Sequence, residues 1–183
     1  AGARVSAIVA LYAIVFSGAI GTMLGIVAGY FGGITDAIII RIAEIKDDDV
    51  VVDLGSGDGR ILITAAKANS KVRGWGVDID EKLVRESNAE AKKLGMADRV
   101  QFFQRDVFEA DLSTATVVTM WMWPEMQRML RTKILQEARP GTRVLTNIWD
   151  MGTAWPADRV DTVDNSSVFL WVVPARVNGY WTW

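Results

Sequence analysis

The chain has 183 residues, half of them hydrophobic, with 20 basic against 22 acidic side chains and a net charge of −2. That balance leaves no basic surplus to follow a phosphate backbone, so there is no electrostatic footprint for nucleic acid. With neither cysteine nor histidine in the chain, disulfides, thiolate chemistry and the commonest metal ligand are missing, and no metal site is expected.

From Val5 to Thr35 no residue is charged and none is proline; Arg4 and Asp36 bracket the run. About 20 apolar residues suffice to span a bilayer, so residues 1–33 are expected to form a transmembrane anchor helix. Ser17, Gly21, Gly25 and Gly29 recur every fourth residue. Such a stripe weakens a helix in water, but in lipid it lets a second helix approach closely, so a membrane-protein partner is expected there besides the bilayer itself. A cleavable signal peptide would be shorter and more basic at its start, and a buried core helix would not run this far without a charge. Gly32-Gly33 breaks the run, Thr35 is a good N-cap, and Asp36 to Ile45 reads as an amphipathic helix. Residues 34–183 are expected to form one domain.

Val50, Val51 and Val52 open a buried strand that ends on Asp53, followed by Leu54 and glycines at 55, 57 and 59. A strand that breaks into a glycine-rich turn and opens a helix is a nucleotide-cofactor site, because the backbone permits close approach and the helix start offers unpaired N–H groups. A dinucleotide fingerprint, G-x-G-x-x-G, leaves the helix mouth uncharged for a pyrophosphate. Here D-x-G-x-G-x-G places Asp53 and Asp58 at it, which suits a cation such as a sulfonium or an α-amino group.

Ile61, Leu62, Ala65 and Ala66 then repeat at helical spacing, and Val72 to Asp78 reads as the second strand. Asp78 follows Asp53 by 25 residues, near the roughly 20 expected of a ribose-binding carboxylate. Glu81 to Leu94 is a charged-faced helix closed by Gly95. Val100 to Arg105 is the third strand, leading to Asp106-Val107-Phe108. Thr116 to Met122 is the fourth, running into Trp123-Pro124 and a helix to about Ala138. After the Pro140-Gly141 turn, Thr142 to Ile148 is the fifth strand. Arg159 to Val163 and Val168 to Val173 have no helix between them and should pair antiparallel. Asn178-Gly179 is a hairpin dipeptide, after which Tyr180 to Trp183 is either a stub strand or the cut end of a longer chain. The alternation implies an α/β fold with a doubly wound, Rossmann-like parallel sheet of seven strands, preceded by one transmembrane helix. Ligands in such sheets sit beyond the carboxyl ends of the strands at the switch point. That rule nominates Asp53 to Gly59, Asp78, Asp106 with Val107, and the end of the fourth strand.

The octapeptide DLGSGDGR, Asp53 to Arg60, resembles the first motif of class I S-adenosylmethionine-dependent methyltransferases. The resemblance implies the methyltransferase sheet and S-adenosylmethionine as cofactor. Gly55 and Gly57 would then line its methionine part, Asp78 would take its two ribose hydroxyls and Asp106 its adenine amino group, with Asp53, Ser56, Ile79 and Val107 as further cofactor-binding residues. Enzymes that methylate base or amide nitrogens carry Asn/Asp-Pro-Pro-aromatic after the fourth strand. Met120-Trp121-Met122-Trp123-Pro124-Glu125 departs from that and disfavours amino-group methylation of DNA.

The stretch TVVTMWMWPEMQRMLRTKILQEARPGTRVL, Thr116 to Leu145, resembles archaeal protein lysine methyltransferases and their membrane-anchored eukaryotic relatives, some of which act on mitochondrial membrane proteins. The chain departs from them at Gly33-Ile34-Thr35-Asp36, where they have a proline-flanked Thr-Pro, and at Thr146-Asn147, where they have Ser-His. The resemblance implies a membrane-anchored, single-pass enzyme that methylates a lysine of a membrane-associated protein, its domain on the cytoplasmic side where the cofactor is made. Trp121 and Trp123 are the candidates to wall a lysine ammonium by cation–π contact, although alternation along a strand would put one of them in the core. Glu125 or Asp150 would orient the amine. The alternatives are methylation of a lipid or small membrane-dissolved molecule, and a non-catalytic methyltransferase-like component of a larger membrane complex.

Overall fold

The computed structural model describes residues 44–163 and 166–175. The expected anchor over 1–33, its glycine stripe, the helix from Asp36 and the Asn178-Gly179 turn lie outside the described residues. Within them no helix is long and apolar enough to cross a membrane.

The described chain runs β1 (Val50–Leu54), α1 (Arg60–Ala68), β2 (Arg73–Asp78), α2 (Glu81–Lys93), β3 (Val100–Gln104), a 3-10 turn (Val107–Glu109), β4 (Val117–Met120), α3 (Pro124–Glu137), β5 (Arg143–Asn147), β6 (Arg159–Val163) and β7 (Ser166–Val172). The sheet order is β3-β2-β1-β4-β5-β7-β6. Strands β1 to β5 are parallel, while β7 runs antiparallel to both β5 and β6. The chain therefore builds outward from β1 in one direction, returns to β4 on the other side, and leaves a crevice between the carboxyl ends of β1 and β4.

A parallel strand is buried on both faces, and its side chains alternate between them. Val51 accordingly clusters with Leu62 and Ala65 of α1, Ala91 of α2, and Val100 and Val117. Val52, one residue on, clusters with Leu130 and Ile134 of α3, Val118, Val144 and Trp171. Asp80 caps α2 by accepting from the Lys82 and Leu83 amides, and Pro124 opens α3 at the position where a missing N–H costs nothing. Strands four and five stop at Met120 and Asn147, short of the expected Met122 and Ile148. The reason is loss of a partner: Leu54↔Met120 is the last pair of β1 with β4, because β1 turns there into the glycine loop.

At the opposite edge one buried charge ties three strands together. Asp49, 3% exposed, accepts from the Lys46 amide at 2.6 Å, from the Thr116 hydroxyl at 2.6 Å and from the Arg143 guanidinium. Burial alone would raise its pKa, but the bonds from Lys46, Thr116 and Arg143 outweigh it and hold the carboxyl below the ordinary value. A depressed folded pKa means that the ionised form stabilises the fold above about pH 4 and that this contribution is lost as pH falls through the folded value. Asp49→Ala should cost about 3–5 kcal/mol in urea unfolding at pH 7, since the partly buried Arg143 guanidinium loses its countercharge. Asp49→Asn should flatten the acid limb of the stability curve.

Candidate active site at the carboxyl edge of the sheet

The loop after β1 folds back over the end of β2: the amides of Gly55 and Ser56 both donate to the Val77 carbonyl, at 2.9 Å each. Gly55 and Gly57 have positive φ, 71° and 53°, which side chains tolerate poorly. Their surroundings differ. A Cβ on Gly55 would come within 2.6 Å of the Met122 methyl, whereas one on Gly57 would meet nothing within 4 Å. Gly57 is thus the point where bare backbone borders open space.

Asp78, at the end of β2, holds that point in place. Its Oδ2 accepts from the Gly57 amide and its Oδ1 from the Asp80 amide, each at 2.9 Å. From the other side the Ser87 hydroxyl lies 3.0 Å from the Gly57 carbonyl. Ile79, next along, is 75% exposed, an unusual position for an isoleucine beside a crevice. The Ser56 side chain is buried and its hydroxyl oxygen has no hydrogen-bond partner among the described residues.

The two carboxylates expected to face a ligand together do not do so. Asp53 is 1% exposed and its Oδ1 accepts from the Thr119 hydroxyl at 2.7 Å, a latch between β1 and β4 across the switch point. Asp58 closes on Arg60, whose guanidinium bonds, ahead of the Arg60 amide, hold its carboxyl below the usual range. Asp106 accepts from the Phe108 amide at 2.9 Å and caps the 3-10 turn. Val107, expected to touch a ligand, is instead a core side chain packed with Val77 and Leu112, so only its main chain is left to meet one.

Beyond β4 and β5 lies a second, apolar cleft of about 380 Å³, lined by Trp121, Met122, Trp123, Ile148 and Trp149. Neither Trp121 nor Trp123 is a core residue; they are 39% and 75% exposed. Strand β4 stops at Met120, so both stand beyond its end. Gln127, fully buried, donates from Nε2 to the Met122 carbonyl at 2.8 Å and fixes this lip from beneath. On the other lip Ile148 has φ 69°, a strained conformation for a β-branched residue that costs on the order of 1–3 kcal/mol. Ile148, Trp149 and Gln127 escaped the sequence reading. The signal for Trp149 was its place one residue past the expected end of the fifth strand, whose carboxyl end neighbours that of the fourth. Glu125 and Asp150 do not line this cleft: Glu125 is exposed in the first turn of α3, and Asp150 accepts from Gly152 and borders a separate hollow with Arg128 and Arg131.

A larger hollow, about 570 Å³, lies at the amino edge among Asp47, Asp48, Asp49, Lys71, Arg73 and Arg99. Ligands of open α/β sheets bind at the carboxyl edge, and there the glycine loop, Asp78 and the tryptophan cleft converge.

Comparison with known proteins identifies the family. Residues 53–158 match a family described as the ANTKMT methyltransferase domain. A protein-lysine N-methyltransferase of Saccharolobus islandicus is 38% identical over 138 residues, 74% of this chain and 86% of that one. An adenine nucleotide translocase lysine N-methyltransferase of Mus musculus is 27% identical over 70% of this chain, which spans 55% of that protein's length. The chain thus spans about half the length of the vertebrate relatives it matches. Among solved structures, an RNA methyltransferase from Salinibacter ruber in complex with S-adenosyl-L-homocysteine superposes with a TM-score of 0.75 at 40% identity, over 79% of this chain and 93% of that one.

The Asp53–Thr119 latch gives a direct test of the site's foundation. Thr119→Val removes the donor to a buried carboxylate and should cost about 1–3 kcal/mol in urea unfolding, while Thr119→Ser should recover most of it.

Proposed function

Because the chain belongs to the family of the ANTKMT methyltransferase domain, and is therefore an S-adenosylmethionine-dependent methyltransferase, we propose that it methylates the ε-amine of a lysine in a membrane-associated protein. The observation that carries the acceptor assignment is the tryptophan cleft next to the glycine loop. It is lined by three tryptophans, an isoleucine and a methionine, with no carboxylate of the described residues among them, and indole faces attract an ammonium through the ring quadrupole.

The residues present fit the cofactor. Open space beside Gly57 is the cradle that a Cβ would fill, and Asp78 stands at the end of β2 where ribose hydroxyls are recognised. On this reading Gly55, Ser56 and Gly57 take the methionine part, with Asp53 bracing the strand end from within. Ile79 and Phe108, 75% and 37% exposed, cover the adenine, and Asp106 with the Val107 main chain meets its edge. The bound cofactor supplies an electrophilic methyl group on a sulfonium. The protein's own work is to place a neutral amine in line with it, chiefly a proximity effect. Lysine must lose one proton before its lone pair can attack. With no histidine in the chain and neither Glu125 nor Asp150 on the cleft, water takes that proton.

The membrane part of the proposal rests on the uncharged run from Val5 to Thr35. It supports a single-pass anchor with a partner helix on Ser17, Gly21, Gly25 and Gly29; the cytoplasmic side for the methyltransferase domain follows from where the cofactor is made. The description of the Salinibacter protein raises RNA as a second acceptor. The net charge of −2 weighs against it, as does a cleft that no basic side chain of the described residues lines.

Calorimetry on the full chain in detergent should show cofactor binding that weakens at least about tenfold in Asp78→Ala, the loss of a charged hydrogen-bond partner. With membranes and methyl-labelled cofactor, counts should appear in protein and be recovered as methyl-lysine. Counts confined to the lipid extract or to RNA would sink the lysine assignment. The rate at low acceptor concentration should rise about tenfold per pH unit between pH 7 and 9, because only the neutral fraction of an amine with pKa near 10.4 reacts; a plateau at pH 7 would reveal a protein base.

A further inference from the structure

The lip of the tryptophan cleft formed by residues 146–149 is held in a shape that a simple turn does not need. Ile148 adopts the left-handed backbone, where glycine or asparagine would sit without strain. Three bonds keep it there: the Ile148 amide to the Ser167 carbonyl at 2.7 Å, the Trp149 amide to the Asn147 carbonyl at 2.8 Å, and the Thr146 hydroxyl to the Trp149 carbonyl at 2.6 Å. The result is that two large apolar side chains, Ile148 and Trp149, stand 47% and 44% exposed against the cleft. Backbone strain that persists at a site is held by its surroundings, and it points to what the strained segment presents.

We propose that Trp149 is the third wall of an aromatic cage for the acceptor, completing Trp121 and Trp123, and that Thr146 is the positioning residue that holds it. The proposal rests on the lysine reading above and adds how the site tells a cationic side chain from a neutral one. No carboxylate of the described residues lines the cleft, so attraction for charge is left to the indoles, and a cation gains more from three of them than from two. A neutral chain of the same shape gains only the apolar contact. Trp149 therefore sets the preference for an ammonium, while Thr146, buried at the end of β5, acts through it.

The test uses the full chain in detergent with S-adenosylhomocysteine present. Calorimetric titration compares Nε-trimethyllysine amide with its uncharged tert-butyl carbon isostere. The wild type should bind the ammonium about tenfold tighter than the isostere. Trp149→Ala should erase most of that preference, Trp149→Phe should keep part of it, and Thr146→Val should follow Trp149→Ala while Thr146→Ser restores it. In turnover with a lysine acceptor, the effect of Trp149→Ala should fall on KM more than on kcat, and cofactor affinity, which also reports folding, should hold. Trp149→Ala with the ammonium preference and acceptor KM of the wild type would overturn the third wall, even with methyl-lysine as product. If label enters lipid or RNA while the ammonium preference still depends on Trp149, the lysine reading falls and the cage stands.

Discussion

The amide of Gly57 donates to Asp78, and its carbonyl lies against the Ser87 hydroxyl of α2. One residue with no side chain is thereby gripped from both sides by the strand and helix that follow it. The grip is possible because the Gly55 and Ser56 amides have already bent the loop onto the Val77 carbonyl. Backbone groups at the end of a buried parallel strand cannot be left unpaired, and here the pairing that satisfies them also shapes the crevice. Any residue with a Cβ at position 57 would both strain the turn and fill the space the turn exists to leave.

From that loop, order passes to the acceptor side through one flexible side chain. Met122 packs its methyl against Gly55, and its carbonyl receives the buried Gln127 amide. Met122 therefore sits between the glycine loop and the two tryptophans that flank it in sequence. A thioether suits that role, since it fills irregular gaps and tolerates small movements. The two halves of the site are thus built from adjoining strand ends, β1 with β2 and β4 with β5, and no separate substrate domain is needed within the described residues to bring them together.

What the sequence disclosed follows from how local each determinant is. The run Val50 to Val52, the glycines after it and the spacing to Asp78 act through neighbours or through one βα unit, and they were legible. The antiparallel β6 and β7 were legible because a missing helix between strands leaves no parallel crossover. Asp53 was legible as a motif residue but not as a buried latch, because its partner Thr119 lies 66 residues away. Val107 turned into the core because Asp106 caps a 3-10 turn, a choice of side-chain direction that composition does not encode. Trp121 was assigned to a strand, with Trp123 just past it, but the end of that strand was set by β1 rather than by their own propensity. The strain at Ile148 was out of reach, since it depends on a carbonyl of β7 that reaches it only after the sheet has formed.

Chemistry at the cleft narrows by subtraction and then by attraction. The chain offers no histidine and no cysteine, and the acids next to the tryptophans in sequence do not line the cleft: Asp150 accepts from Gly152 and Glu125 is exposed in the first turn of α3. What is left is a surface of indole, thioether and isoleucine in contact with water, which is costly unless something covers it. A lysine side chain is matched to such a surface: its four-carbon stem buries apolar area and its ammonium meets the ring faces. Indoles are also at home where water meets lipid. On the proposed reading a protein lysine presented close to a bilayer covers the cleft and satisfies both halves of its character, which neither a free phosphate backbone nor a neutral lipid chain can do.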